Sequence, residues 1–183
     1  MLRAAFHNRS VVNLLRPELP VAHTVHAPSG AVLPLWEAAE RYRAAGDALV
    51  IVAGERYGTG SSRDWAAKGQ RLLGVLAVLA ASFERIHRSN LIGMGIVPLR
   101  LPPGVRPQTL AIGPGDRIEI DLSAERLVPR ATTAVRLLRR DGTSEQWTAT
   151  VLVDTAYEIA LLRAGGVLPA ILRREMNQEL EST

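Results

Sequence analysis

The chain has 183 residues, of which 47% are hydrophobic and 22% are charged, and its formal net charge is +4. This length is typical of one domain that buries roughly two-thirds of its unfolded surface, so we predict a single domain over residues 1–183. The sequence contains no cysteine, which excludes disulfides and any metal centre held by its own thiolates. The longest apolar run, Val75 to Ala81, is too short to span a bilayer.

The first 35 residues are predicted to form extended segments and loops, because prolines occur at positions 17, 20, 28 and 34. Arg3 and His7 interrupt any apolar stretch at the start, so we expect no signal peptide and a cytoplasmic location. His23 and His26 lie between prolines with no third ligand nearby, and we expect polar loop residues there rather than metal ligands.

The middle of the chain alternates amphipathic runs with short apolar runs, a pattern typical of parallel βαβ units. Glycines that follow the helical runs are plausible helix ends. The predicted elements are a helix over 35–45, a strand over 48–53, a helix over about 62–73, a strand over 75–81, a helix over 83–91 and a strand over 96–100.

After Pro102 to Gly104 the pattern changes to short strands, predicted at 109–112, 117–121, 133–139 and 146–153. Asp141-Gly142 is a strong hairpin signal between the last two. Thr155 is predicted to cap a helix over 156–164, and Gly165-Gly166 ends it. A last helix over 167–175 precedes a polar tail at about 176–183, which we expect to fray.

The junction between the first central strand and the next helix reads Gly58-Thr59-Gly60-Ser61-Ser62-Arg63-Asp64-Trp65. A helix N-terminus offers unpaired N–H groups and the positive end of the helix dipole, and Arg63 adds a guanidinium suited to a carboxylate or phosphate. Gly58 and Gly60 permit left-handed backbone angles and close approach of a ligand. The segment therefore indicates a site for an acidic ligand.

This segment is also compatible with a purely structural role. Ser61 can act simply as a helix cap, with Asp64 completing a capping box. A dinucleotide fingerprint is disfavoured because Arg63 stands in place of its third glycine, and neither a P-loop nor a nucleophile elbow is present. Trp36, Trp65 and Phe83 fit a core or a domain interface better than a ligand cage, with Trp65 packing behind the site.

Residues 53–69 read AGERYGTGSSRDWAAKG, and residues 82–95 read SFERIHRSNLIGMG. Together with Met1 to Phe6, His26 to Gly30, Glu37 to Tyr42 and Gly165 to Leu168, they resemble the C-terminal swivel domain of the aconitase family. The resemblance is greatest to the branch of bacterial aconitase and the cytosolic aconitase/iron regulatory proteins. It implies a three-layer β/β/α swivel fold.

The resemblance also implies a function, the reversible dehydration of a hydroxy tri- or dicarboxylic acid next to a [4Fe-4S] cluster. In the family the first serine of Gly-Ser-Ser-Arg removes the carbon-bound proton, which implies this role for Ser61. The second serine and the arginine bind a substrate carboxylate, which implies that role for Ser62 and Arg63. The chain has no ligands for the cluster, so a partner domain or subunit is expected to hold it.

Two features limit what the resemblance implies, and one is that the cluster cysteines and the remaining acid/base residues of the family's larger domains are missing. A complete swivel domain of the family begins some tens of residues earlier and includes another substrate-binding arginine, which is missing here. We therefore expect the isolated chain to be inactive, as a small subunit or as an excised domain. Two-chain isopropylmalate and homoaconitate enzymes, and 2-methylcitrate dehydratases, offer alternative substrates.

RNA binding, as in iron regulatory proteins, is a further alternative, but the basic residues are scattered. Arg136, Arg139 and Arg140 form the nearest approach to a patch, and aromatic residues amount to only 4%. The remaining alternative is an interaction module in which the Gly-Ser-Ser-Arg segment only starts a helix. His87, between Arg85 and Arg88 on a short helix, could order a substrate carboxylate or bridge to another domain, but we expect it to be structural and assign it no proton-transfer role.

Overall fold

The structure, a computed structural model, describes residues 2–123 and 125–181, with the side chains of 179–181 not described. A short 3-10 turn at Leu2–Ala4 precedes the regular elements. In chain order these are β1 (His23–His26), β2 (Ala31–Pro34), α1 (Leu35–Ala44), β3 (Leu49–Ala53), α2 (Arg63–Leu72), β4 (Val75–Ala80), α3 (Arg85–Gly93), β5 (Val97–Arg100), α4 (Pro107–Leu110), β6 (Arg117–Ile120), β7 (Thr132–Leu138), β8 (Ser144–Val151), α5 (Ala156–Ala164) and α6 (Val167–Glu181).

The main sheet has six strands in the order β3-β4-β5-β8-β7-β6. The first three strands are parallel to one another, as the alternation of apolar strands and helices predicts. The last three are joined to β5 and to each other by antiparallel pairing. The sheet therefore has a parallel half, which contains the βαβ units, and an antiparallel half built from the later strands.

Strand β4 connects the two parts of the hydrophobic core, because successive side chains of a strand point to opposite faces. Ala77 and Leu79 pack into a cluster formed by β5, β8 and α5. Val78 and Ala80 pack into a second cluster with Ala67 of α2 and Leu91 of α3. Both faces of this strand are covered, which is the usual environment of a parallel strand.

Strands β1 and β2 form a separate antiparallel hairpin beside α1. The hairpin is held to α1 by Tyr42, whose hydroxyl accepts a hydrogen bond of 2.8 Å from the Ala27 N–H. The ring of Tyr42 also lies 4.8 Å from the ring of His26. His23 and His26, expected in a loop, are thus the two ends of β1.

The turn between α5 and α6 packs closely against the end of α3. A Cβ placed on Gly95 would lie 2.5 Å from the backbone carbonyl carbon of Gly165, and one on Gly166 would lie 2.7 Å from the carbonyl oxygen of Gly93. Two glycine-containing segments about 70 residues apart in sequence therefore meet, and side chains there would separate them.

The predicted α/β class is confirmed, with parallel βαβ units, a following β-rich segment and C-terminal helices. Asp141-Gly142 forms the β7–β8 turn, and the Thr155 hydroxyl accepts a hydrogen bond of 3.1 Å from the Glu158 N–H at the start of α5. One strand prediction is wrong, since 107–110 form the short helix α4, which Pro107 begins and a left-handed Ala111 ends.

The last helix is longer than predicted, since α6 continues through Glu181. The predicted polar tail at 176–183 is therefore helical over 176–181, and residues 182 and 183 lie outside the described part of the chain. Over residues 2–123 and 125–181, no helix is both long enough and apolar enough to cross a membrane.

Candidate active site at the start of helix α2

The candidate site lies at the edge of the sheet where the parallel strands β3 and β4 end. Ligands of parallel α/β sheets bind beyond the carboxyl ends of the strands. The two connections that leave this edge are joined by backbone hydrogen bonds. Tyr57 N–H donates to the carbonyl of Ser82 at 2.9 Å, and Glu84 N–H donates to the carbonyl of Tyr57 at 2.8 Å. The loop before α2 is thus attached to the segment before α3.

Ser61 and Ser62 are both exposed at the start of α2. Ser62 is the N-cap residue, and its carbonyl accepts a hydrogen bond of 2.9 Å from the Ala66 N–H. Its hydroxyl makes no capping hydrogen bond. The interpretation of Ser61 and Asp64 as a capping box is therefore wrong. Two exposed serines stand at a helix start whose N-cap side chain leaves the first N–H groups uncapped.

The guanidinium of Arg63 is held by two contacts. Its Nε–H donates to the carbonyl of Gly60 at 3.1 Å, and its Nη1 lies 3.1 Å from Oε2 of Glu84. The two side chains of this ion pair are 27% and 24% exposed. A guanidinium carries five N–H donors, so these contacts orient the group and leave the Nη2 donors for a ligand.

Gly58 and Gly60 have different roles. Gly58 has a φ of +92°, and a Cβ at this position would lie 2.2 Å from Cγ of His87. The prediction of a left-handed glycine is therefore confirmed for Gly58, and the close neighbour is a side chain of the protein. Gly60 is not among the residues with positive φ, and a Cβ there would meet nothing within 4 Å. The same prediction is wrong for Gly60.

His87 lies beneath this loop and is only 1% exposed. Its Nδ1 is 3.1 Å from the carbonyl oxygen of Arg63, and its ring is 5.4 Å from the ring of Tyr57 in an edge-on arrangement. Burial lowers the pKa of His87, and the hydrogen bond to Arg63 opposes this shift only in part. A neutral ring carries one N–H, and only a donor can bond a carbonyl, so the proton is on Nδ1.

Glu84 is the site residue that sequence reasoning missed. The sequence predicted a helix from residue 83, whereas Glu84 is the N-cap of α3. Its Oε2 accepts hydrogen bonds from the N–H of Ile86 at 2.9 Å and of His87 at 3.4 Å, in addition to the ion pair with Arg63. A carboxylate at a helix start was the available signal, although glutamate is not a preferred N-cap residue.

Trp65 does not pack behind the site. Its side chain is 57% exposed, and Nζ of Lys68 lies 5.2 Å from its ring centre on the surface of α2. This part of the prediction is wrong because the buried face of α2 is formed instead by Ala67, Gly69 and Gln70. Trp65 remains consistent with a domain interface.

The arginines that came nearest to a basic patch are largely neutralised. Arg136 pairs with Glu119, and Arg139 pairs with Glu145 and with Asp116. Arg139 also donates to the carbonyls of Leu110 and Ala111. These side chains hold α4 and the antiparallel strands together, and they lend no support to the RNA alternative.

The residues present do not fit an iron–sulfur cluster. The sequence has no cysteine, and within residues 2–123 and 125–181 no group of three or more His, Asp or Glu side chains could hold a metal ion.

Known proteins similar to this chain are aconitases and related enzymes. The family described as the aconitase C-terminal domain matches residues 1–104. The chain is 45% identical over 174 residues to aconitate hydratase A of Legionella pneumophila and 44% identical over 173 residues to that of Escherichia coli. It is also 45% identical to phosphinomethylmalate isomerase of Streptomyces viridochromogenes. These matches cover 94–95% of the chain but only 19% of each relative.

A solved structure supports the same family. The crystal structure of 3-isopropylmalate dehydratase (LeuD) from Methanocaldococcus jannaschii aligns with a TM-score of 0.51 at 28% identity, over 81% of this chain and 83% of the other. The predicted swivel fold of the family is thus confirmed. The family match over more than half of the chain and the identities above 40% lead to one conclusion: the chain belongs to the aconitase family and corresponds to its C-terminal domain.

Proposed function

We propose that this chain is the substrate-binding and proton-abstracting swivel domain, or the small subunit, of a hydro-lyase that acts on a hydroxy tri- or dicarboxylic acid. The observation that supports this most is the arrangement at α2, where two exposed serines precede an oriented arginine at an uncapped helix start. Donors of this kind suit a carboxylate. The family relationship supplies the reaction class.

In this proposal Ser62 and Arg63 bind a substrate carboxylate. The backbone N–H groups at the start of α2 and the Nη2 donors of Arg63 are available to it. Glu84 neutralises part of the positive charge, so the substrate shares the guanidinium with Glu84 rather than displacing it. Binding through a fixed fork gives orientation as well as attraction.

Ser61 is proposed to remove the carbon-bound proton of the substrate. A serine hydroxyl is ordinarily far too weak an acid to ionise, so its pKa must be lowered for this role. The positive end of the α2 dipole and the Arg63 guanidinium both act in this direction. Exclusion of water when a partner closes over the loop would strengthen both effects. The departure of the substrate hydroxyl is outside the chemistry of this chain.

The rest of the enzyme is proposed to lie in a partner domain or subunit. Enzymes of the aconitase family carry a [4Fe-4S] cluster, and we propose that the partner holds it because this chain has no suitable ligands. The chain spans 19% of the length of aconitate hydratase A, which supports a domain of a larger protein. It covers 83% of the LeuD chain, which supports a separate subunit. In either arrangement the isolated chain is expected to be inactive.

The substrate is proposed to be a small hydroxy acid with at least two carboxylates. The relatives are named for aconitate, phosphinomethylmalate and 3-isopropylmalate, which differ in the groups beyond the carboxylates. Substrates of the 2-methylcitrate or homoaconitate type remain alternatives. Residues from the partner would choose among them, because this site supplies donors for one carboxylate.

The direct test is an NMR titration of the full chain with citrate or tricarballylate. The backbone amides of Ser61 to Asp64 should shift, with a dissociation constant on the order of millimolar for so few contacts. Arg63→Gln should abolish the response, whereas Arg117→Gln, on β6 at the far edge of the sheet, should leave it unchanged. Shifts elsewhere with none at Ser61 to Asp64 would refute the assignment of the site.

A further inference from the structure

We propose that His87 is a positioning residue for this site, which holds the peptide of Arg63 in place and thereby orients the start of α2 toward an anionic ligand. The proposal rests on the proposed function for its ligand but on contacts within the chain for its geometry. His87 is on α3 and is only 1% exposed, so it acts through Arg63 and is not a catalytic residue.

Helix α3 contacts Arg63, the first residue of α2, at both its backbone carbonyl and its guanidinium. His87 Nδ1–H donates to the Arg63 carbonyl at 3.1 Å, and Glu84, three residues earlier on the same turn, pairs with the Arg63 guanidinium. One turn of α3 therefore holds the backbone and the side chain of the same arginine. A displacement of about 1 Å at such a group is enough to cost a large factor in binding or rate.

The imidazole has little freedom to move. Gly58 lies against one side of it so closely that even a methyl group there would overlap the ring, and Tyr57 contacts it edge-on. The charged and titratable groups that face it are Glu84 from α3, Arg63 from α2 and Tyr57 from the loop. The fixed ring therefore fixes the direction of its hydrogen bond.

Only one of the two ring nitrogens makes a hydrogen bond, and this difference makes the positioning role testable. Nδ1 bonds Arg63, whereas Nε2 is buried and has no hydrogen-bond partner among the described residues. If the ring served only to fill space, the position of its donor would not matter. Asparagine places an amide N–H close to the position of Nδ1, whereas glutamine places one close to that of Nε2.

The experiment compares His87→Asn with His87→Gln in the full chain. His87→Asn should keep the citrate response of the Ser61 to Asp64 amides within about threefold of wild type, and His87→Gln should weaken it by about tenfold or more. Thermal unfolding of both variants controls for lost packing, which both share. Equal citrate affinity in the two variants, whether retained or lost, would overturn the positioning role.

A second measurement needs no ligand. The Nε–H resonance of Arg63, which donates to Gly60, reports directly on the orientation of the side chain. The chemical shift of this resonance should be unchanged in His87→Asn and altered in His87→Gln. If wild type fails to bind citrate, the proposed function fails, but this resonance still decides the positioning role. An unchanged Arg63 resonance in His87→Gln would overturn it.

Discussion

The two strand-to-helix connections at the end of the parallel strands are similar in position and opposite in design. The β4–α3 connection caps its helix, since the Glu84 carboxylate accepts the N–H groups of Ile86 and His87. The β3–α2 connection leaves its helix uncapped, since the Ser62 hydroxyl makes no such bond. The start of α3 is therefore closed by a side chain, whereas the N-cap side chain leaves the first N–H groups of α2 unbonded.

The capped β4–α3 connection also holds the uncapped β3–α2 connection in place. Glu84 and His87 are both directed at Arg63, so the residues that complete α3 also orient the first residue of α2. An uncapped helix start is a destabilising feature that a fold retains at a functional site when its surroundings hold it in place. This contrast makes four predictions.

The largest effect is expected for Ser61→Ala in the proposed hydro-lyase, reconstituted with its partner. Loss of the proposed base should lower turnover by roughly a hundredfold or more with little change in KM, because the proposed carboxylate contacts of Ser62 and Arg63 remain. Steady-state kinetics would measure this. Because Ser61 does not cap α2, the variant should unfold at the wild-type temperature. Turnover near that of wild type in a folded variant would remove the base assignment.

The second prediction concerns Gly58 and Gly60, the two glycines of the β3–α2 connection. Gly58→Ala should lower the free energy of unfolding by about 2–4 kcal/mol, because its Cβ would overlap His87 and its φ is positive. Gly60→Ala is the matched control, with a change within about 0.5 kcal/mol, because the space around it is open. Chemical denaturation measures both, and similar losses would contradict the close contact with His87.

The third prediction tests the caps themselves. Glu84→Ala should cost about 1–2 kcal/mol of stability, since it removes a helix cap and a partly exposed ion pair. Ser62→Ala should cost only a few tenths of a kcal/mol, because no capping bond is lost. Equal losses of unfolding free energy in the two variants, measured by chemical denaturation, would show that the two helix starts do not differ in capping.

The smallest effect is a pH dependence from His87. Burial holds its pKa below the ordinary value of 6.5, so as the pH falls below 6.5 the unfolded chain binds a proton that the folded chain does not. Stability should therefore decline from pH 7 toward pH 5, by less than about 1.4 kcal/mol per pH unit for this group. His87→Asn should lack this part of the decline. An identical pH profile in the variant would contradict the lowered pKa.

Much of the fold could be predicted because its signals are local. Apolar runs marked β3 and β4, Asp141-Gly142 marked a hairpin, and Thr155 marked the start of α5. Each depends on residues within a few positions of one another, where propensity and capping operate. The strand predicted at 109–112 failed because Pro107 and a left-handed Ala111 form one short helical turn instead.

The candidate site likewise has features that local sequence predicts and features that depend on tertiary contacts. The motif itself placed two serines and an arginine at a helix start, because a strand, two glycines and an amphipathic run are all visible in sequence. The tertiary structure alone decided that Ser61 is not a cap, that Gly58 makes room for His87, and that Glu84 pairs with Arg63. His87 and Arg63 are 24 positions apart. They meet only because β3 and β4 pair in parallel and bring the starts of their helices together, and no local pattern contains that pairing.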